Sequence, residues 1–135
     1  MATPRITVEK LRFNDTDMLG HINNAIYSVI LEAGRVELVR EAGLLNPEAG
    51  HGVVIARLEL DFLREMNWPG EVRCETAVHK LGNKSFHLRQ HLLFDGQITA
   101  HAQTVLAAFD MTTRKAMPLT EEWRTTLKKW FMPEF

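Results

Sequence analysis

"DTDMLGHINNAIY", residues 15–27, sets two aspartates, a glycine, a histidine and two asparagines within ten positions, and an apolar segment follows without a break. A turn is served by one or two such residues. Concentrated hydrogen-bonding chemistry ahead of an apolar helix instead suggests a loop that does chemistry at a helix N-terminus, where backbone N–H groups lack partners and the dipole favours negative charge.

From Asn23 to Ala42 the residues Ile26, Val29, Ile30, Ala33 and Val36 recur at helical spacing, and Tyr27, Leu31 and Leu38 widen the stripe. The spacing predicts one long helix covered on more than one side. Asn23 or Asn24 fits the N-cap, and Gly43 supplies the stop. Upstream, "RITVEKLRFND" alternates as a strand, with a loop from Asn14 to Ile22 after it. Downstream, "LLNPEAGHG" reads as a loop.

Four strands then follow. "VVIARLELDFL" is expected to bury Leu58, Leu60 and Phe62, and "EVRCETAVHKL" to put Val72, Cys74, Thr76 and Val78 on one face. "SFHLRQHLLF" sets Phe86, Leu88, Leu92 and Phe94 against His87, Arg89 and His91. Asp95-Gly96 marks a tight hairpin, and "QITAHAQTVLAAF" alternates Ile98, Ala100, Ala102, Leu106 and Ala108. In the tail, Trp123, Leu127, Trp130 and Phe131 share a helical face behind the cap candidate Thr120. Such a face suits a membrane surface, but covering a sheet edge or a neighbouring subunit is the preferred reading. The polar sheet face, with Arg57, Glu59, His79, His87, Arg89 and His91, is expected to be wet or shared with another subunit.

The whole is an α+β pattern: a five-stranded antiparallel sheet wrapped around one long central helix, with a short C-terminal helix, in a single domain spanning 1–135. The chain's 135 residues, 45% hydrophobic, suit one ordinary core. A formal net charge of -1 argues against a general nucleic-acid binder. No apolar run of membrane-spanning length and no signal-type apolar core is present, so a cytoplasmic protein is expected. Cys74, the single cysteine, excludes an intrachain disulfide and reads as a small buried hydrophobe rather than a nucleophile.

The element order and three motifs resemble the hotdog-fold thioesterases, and more narrowly the 4-hydroxybenzoyl-coenzyme A thioesterase family. "RFNDTDMLGHINNAIY" is similar to that family's aspartate loop, "LGNKSFHL" to its turn between central strands, and "FDMTTRKAMPL" to its ending. "GHINN" is also similar to the motif of acyl-acyl-carrier-protein thioesterases, which carry an asparagine where this chain has Leu19. The resemblance covers nearly the whole chain.

It implies hydrolysis of a fatty or aromatic acyl-CoA to free acid and coenzyme A, with water as co-substrate and no cofactor. Thioester attack builds negative charge on the carbonyl oxygen, so the site needs a carboxylate and fixed donors. Asp17 is the implied carboxylate and the Asn24 backbone N–H the implied oxyanion donor. His21 orients water or bonds the loop. Duller roles stand beside these: Asp17 as a loop cap, Asp15 as the loop's anchor, Gly20 as a backbone requirement for positive φ or for close approach of a ligand. Asn23 is expected to fix the loop beside the substrate, and Tyr27 to line the acyl pocket or pack. Phe62, with Met66 and Trp68, lines the pocket across a subunit interface or belongs to the core. Lys84, Ser85 and Arg89 are the candidate cations and donors for the coenzyme A phosphates, or simply a solvated turn.

A metal held by Asp15, Asp17 and His21 lacks a recognisable ligand set, so no metal is expected. The partners implied are the acyl-CoA and further copies of the chain, as homodimer or homotetramer, without nucleic acid or membrane. Two alternatives remain: a thioesterase acting on acyl-acyl-carrier protein, and a non-catalytic acyl-thioester-binding protein.

Overall fold

A computed structural model of the chain describes residues 2–135; Met1 lies outside them. Strand β1 (Arg5–Lys10) leads through the loop to helix α1 (Asn24–Glu41). Strands β2 (His51–Phe62), β3 (Glu71–Leu81), β4 (Ser85–Phe94) and β5 (Gln97–Asp110) follow. A two-residue β6 (Lys115–Ala116) and helix α2 (Glu121–Leu127) end the chain. The order across the sheet is β1-β3-β4-β5-β2, every pair antiparallel. This is the hotdog arrangement, a curled sheet around one long helix. The sheet has six strands rather than the expected five, because the chain turns back after Asp110 and pairs Phe109 with Ala116.

Helix α1 begins where the asparagine pair predicts: the Asn23 side chain accepts from Ala25 N–H at 3.0 Å. Its buried face is Tyr27, Ile30, Leu31, Gly34, Arg35, Leu38 and Val39. Val29 and Val36, expected inside, are 54% and 45% exposed. The sheet covers one face of the helix only. At Gly34 the helix sits so close that an added Cβ would lie 2.7 Å from Cys74 Sγ. Cys74 is buried and free, and burial pushes its thiol above the usual range, which suits the packing role and not nucleophilic chemistry.

Two further expectations are corrected. β2 is an edge strand, so Leu58 and Phe62 point to the helix side yet remain 39% and 48% exposed. A register shift beside Leu92 turns Thr99 and Ala100 inward and leaves Ile98 outside, at 42% exposure. The tail does cover a sheet edge: Phe131 bridges Val78 of β3 beyond the reach of β1, and Met132 N–H donates to the Val78 carbonyl at 2.8 Å, while Trp123, Leu127 and Trp130 join Leu38, Phe86 and Leu88 in the core. Each such buried aliphatic or aromatic side chain stabilises by roughly 1.5–3 kcal/mol. The Thr126 hydroxyl donates to the Ala42 carbonyl, tying α2 under the end of α1. Of that face only Phe131 stays exposed, leaving little for a membrane surface. Among the described residues no helix is long and apolar enough to cross a membrane.

Candidate active site

The loop before α1 is built around Asp15. Arg12 donates to both of its carboxylate oxygens, from the backbone N–H at 2.8 Å and the guanidinium at 3.0 Å, while the Asp15 carbonyl accepts from Asn23 N–H at 2.8 Å. Burial works against the Asp15 carboxylate, but the two Arg12 hydrogen bonds and the Arg12 charge outweigh it and hold the group below the ordinary range. Asp15 is therefore the loop's anchor, in line with the duller reading.

Asp17 sits at the start of the next turn. Its N–H donates to the His21 carbonyl at 2.7 Å, and its Oδ1 accepts from Leu19 N–H at 2.8 Å and His21 N–H at 3.1 Å. Oδ2 has no partner among the described residues, and the side chain is exposed. Gly20 closes the turn at φ +82°, with open space where a Cβ would stand, so positive φ is its requirement.

Segment 63–67, after β2, forms the opposite wall. Leu63 and Arg64 N–H both donate to the Thr99 carbonyl, and Ile22 N–H donates to the Met66 carbonyl at 2.8 Å. The Tyr27 hydroxyl donates to the Arg64 carbonyl at 2.9 Å, and burial keeps it protonated by raising its pKa. Tyr27 meets the Phe62 ring edge to face at 5.1 Å. His21 Nε2 lies 3.0 Å from Glu65 Oε2.

These parts enclose a cleft of about 230 Å³ bounded by Asp17, His21, Asn24, Tyr27, Phe62 and Glu65. Asn23 Oδ1 takes the Ala25 N–H and the Asn23 carbonyl takes that of Ile26, but no acceptor among the described residues takes the Asn24 N–H. A residue with an unpaired N–H at the positive end of an 18-residue helix thus lines the same cleft as a carboxylate with one free oxygen.

Five expected residues therefore meet: Asp17, His21, Asn24, Tyr27 and Phe62. Gly20 and Asn23 shape the loop and the helix cap behind them. Met66 is fully buried beneath the loop, and Trp68 packs edge to face on Phe13 at 5.5 Å, outside the cleft. Lys84 and Ser85 lie elsewhere. Ser85 pairs with Ala107 and Phe62 with Ala100, seven residues apart on β5, a separation of about 23 Å along a strand. Arg89 faces the outer side of the sheet, where it shares a depression with Asp61, His91 and His101. Arg64 and Glu65 escape a reading by motif; the signal is a charged pair that interrupts the apolar residues Leu63 and Met66 directly after β2. Among the described residues no group of three or more His, Cys, Asp or Glu side chains is placed to hold a metal.

Residues 11–131, from the end of β1 through α2, match the family model described as the thioesterase-like superfamily. The chain belongs to that superfamily. Within it, long-chain acyl-CoA thioesterase FadM of Escherichia coli (strain K12) is 25% identical over 124 residues, covering 89% of this chain and 94% of that protein. A predicted thioesterase from Bacillus stearothermophilus superposes with a TM-score of 0.86 at 28% identity, covering 94% of this chain and 96% of that one. A thioesterase from Thermus thermophilus, solved with coenzyme A and Zn, gives 0.83 at 28% identity, with 94% and 99% covered. Superfamily membership and hotdog fold thus agree with the resemblance carried by the aspartate loop.

Proposed function

We propose that this superfamily member hydrolyses acyl-CoA thioesters in the cleft between the aspartate loop and segment 63–67. The observation that carries the proposal is the juxtaposition of the free Asp17 Oδ2 with the unpaired Asn24 N–H at the head of α1. A thioester carbonyl directed at that N–H gains stabilisation of its developing oxyanion from a donor fixed before the reaction, which costs no reorganisation. Asp17 then acts at the carbonyl carbon, by direct attack or through a water that it deprotonates. Two main-chain donors hold its Oδ1, so Oδ2 is the reacting oxygen. His21, tied to Glu65, orients water at the cleft mouth. The acyl chain leaves the carbonyl past Tyr27 and Phe62. Coenzyme A present in the Thermus thermophilus relative supports the choice of carrier.

Arg64, at the rim, supplies a cation for the coenzyme A phosphates. Lys84 and Ser85 reach a cleft only from another subunit. The proposed working unit is accordingly a homodimer, and the uncovered edge strand β2 supports that reading.

The test is thiol release from short, long and aromatic acyl-CoAs by the wild type and by Asp17→Asn. The expected result is turnover by the wild type and a loss of about a hundredfold or more in the variant, with unchanged circular dichroism. Equal activity of both proteins would move the chemistry away from Asp17. Inactivity on all CoA esters, with turnover of acyl-acyl-carrier protein, would change the carrier.

A further inference from the structure

Helix α1 packs chiefly on β1, β3 and β4, so the inner face of β2 stands clear of it. Phe62, Leu60, Leu58, Ile55 and Val53 lie in sequence along that face. Between them and the flank of α1 runs an apolar groove. It starts at Phe62, in the candidate active-site cleft, and ends in a cavity of about 230 Å³ between Val36, Val39, Ile55 and Leu106.

The far end of the groove is not wholly apolar. Arg35 borders the cavity and is buried, at 8% exposure. Its one hydrogen bond among the described residues runs from Nη1 to Gln90 Oε1 at 3.2 Å. Gln90 is otherwise occupied, since its amide nitrogen donates to the Leu31 carbonyl at 2.9 Å and Thr76 Oγ1 at 3.0 Å. No carboxylate among the described residues lies within ion-pair distance of Arg35; Glu32, at the cavity rim, is exposed. A neutral amide oxygen offsets little of the cost of withdrawing a guanidinium from water. The Thr104 hydroxyl is also buried and has no partner among the described residues. Thr104 stands on the inner face of β5 between Ala102, which is opposite Gln90, and Leu106 of the cavity wall. A cation and a hydroxyl are thus left unsatisfied at the end of an apolar groove. An apolar chain that ends in an anion has the complementary pattern.

We infer that the cavity receives the far end of the acyl group and that Arg35 binds a carboxylate there, which makes ω-carboxyacyl-CoA esters the preferred substrates. Arg35 follows Asn24 by 11 positions, about 16 Å along the helix, and its side chain leans back toward the helix N-terminus. The separation between reacting carbonyl and bound carboxylate is then about 10–16 Å, which an extended acyl chain of about eight to twelve carbons spans. In the proposed homodimer the second copy closes the groove from outside. The inference rests on the proposed hydrolysis and names the class of acyl group it acts on.

The test is thiol release from matched CoA esters, one ending in a carboxylate and one in a methyl group, over chains of about four to sixteen carbons. Wild type is expected to favour the carboxylate member by about tenfold or more in kcat/KM at about eight to twelve carbons, and not at four, where the chain falls short of Arg35. Arg35→Met replaces a buried, poorly paired charge with an apolar side chain and should keep the fold. It should lose about a hundredfold on the carboxylate member, mainly through KM, and leave the methyl member unchanged or improved. Arg35→Lys, which keeps the charge without the fork, should retain part of the preference. A wild type that favours the methyl member at every length would overturn the inference, whether or not Arg35→Met folds. Equal loss on both members in Arg35→Met would make the residue structural and overturn it too. Calorimetric titration of the same esters into Asp17→Asn reads binding apart from turnover. A carboxylate preference in that titration supports the inference even where hydrolysis fails, and its absence overturns it; hydrolysis of no CoA ester by wild type would overturn the catalytic reading.

Discussion

Asp17 and His21 are joined twice: the Asp17 N–H donates to the His21 carbonyl at 2.7 Å, and the His21 N–H donates to Asp17 Oδ1 at 3.1 Å. The carboxylate is therefore aimed by the turn that it closes. Asn at position 17 keeps the Oδ1 acceptor while removing the charge, and Ala removes both. Asp17→Asn and Asp17→Ala should lose activity alike, about a hundredfold or more, but only Asp17→Ala should also lower stability, by about 1 kcal/mol for the lost turn bonds. Thiol-release kinetics beside urea unfolding separate the two effects.

Glu65 meets His21 at 3.0 Å but is itself 70% exposed by side chain. An exposed pair adds about 0–1 kcal/mol, so Glu65→Gln should leave the unfolding midpoint nearly unchanged. If the pair orients His21, kcat should fall by about two- to tenfold while KM stays constant. A changed KM at constant kcat would make Glu65 a binding residue instead.

Asn23→Ala removes the side-chain acceptor for Ala25 N–H. The expected loss is about 1 kcal/mol, seen as a Tm lower by a few degrees. Because the cap fixes the first turn that presents Asn24, activity should fall more steeply on warming than in wild type.

Asp15 carries a pH dependence of known sign. Its folded pKa lies below the unfolded value near 3.8, so its stabilising contribution is complete above that value and disappears as pH falls through the folded pKa. Asp15→Asn should therefore be less stable than wild type at pH 6, with the gap closing below about pH 4. Urea unfolding of both proteins across that range measures it.

Gly34 permits the close approach of α1 to the sheet. Gly34→Ala puts a Cβ 2.7 Å from Cys74 Sγ and should cost about 1–3 kcal/mol through overpacking. Cys74→Ala in the same chain removes the opposing sulfur and should recover much of the loss. A double variant no better than Gly34→Ala would place the strain at Gln90 or Thr76, the next nearest atoms.

Much of the fold is legible in the sequence because periodicity reports it directly. The strand alternation of β3 and β4 and the capped start of α1 survive intact, since local pattern and tertiary role agree there. Edge effects are not local. Nothing in "VVIARLELDFL" distinguishes a central strand from the rim, so the exposure of Leu58 and Phe62 follows only from the strand order. The helix face is hidden for a related reason: Val29 and Val36 are as apolar as the residues beneath them, and only the position of the sheet says which stripe it covers. In the cleft, Asp17, His21 and Asn24 are readable because one short loop carries all three. Glu65 comes from a segment 44 positions after His21 and is brought there by the Ile22 to Met66 hydrogen bond, which no motif spacing encodes.

The main chain, rather than side chains, grips the Asp17 carboxylate, at Leu19 N–H and His21 N–H. Met18 and Leu19 project from the same turn and are 101% and 78% exposed. Neither side chain takes part in that grip, so either can be exchanged without disturbing the carboxylate. The turn's geometry is thus decoupled from its outer surface, so a library randomised at those two positions should keep the Asp17 carboxylate held as it is here.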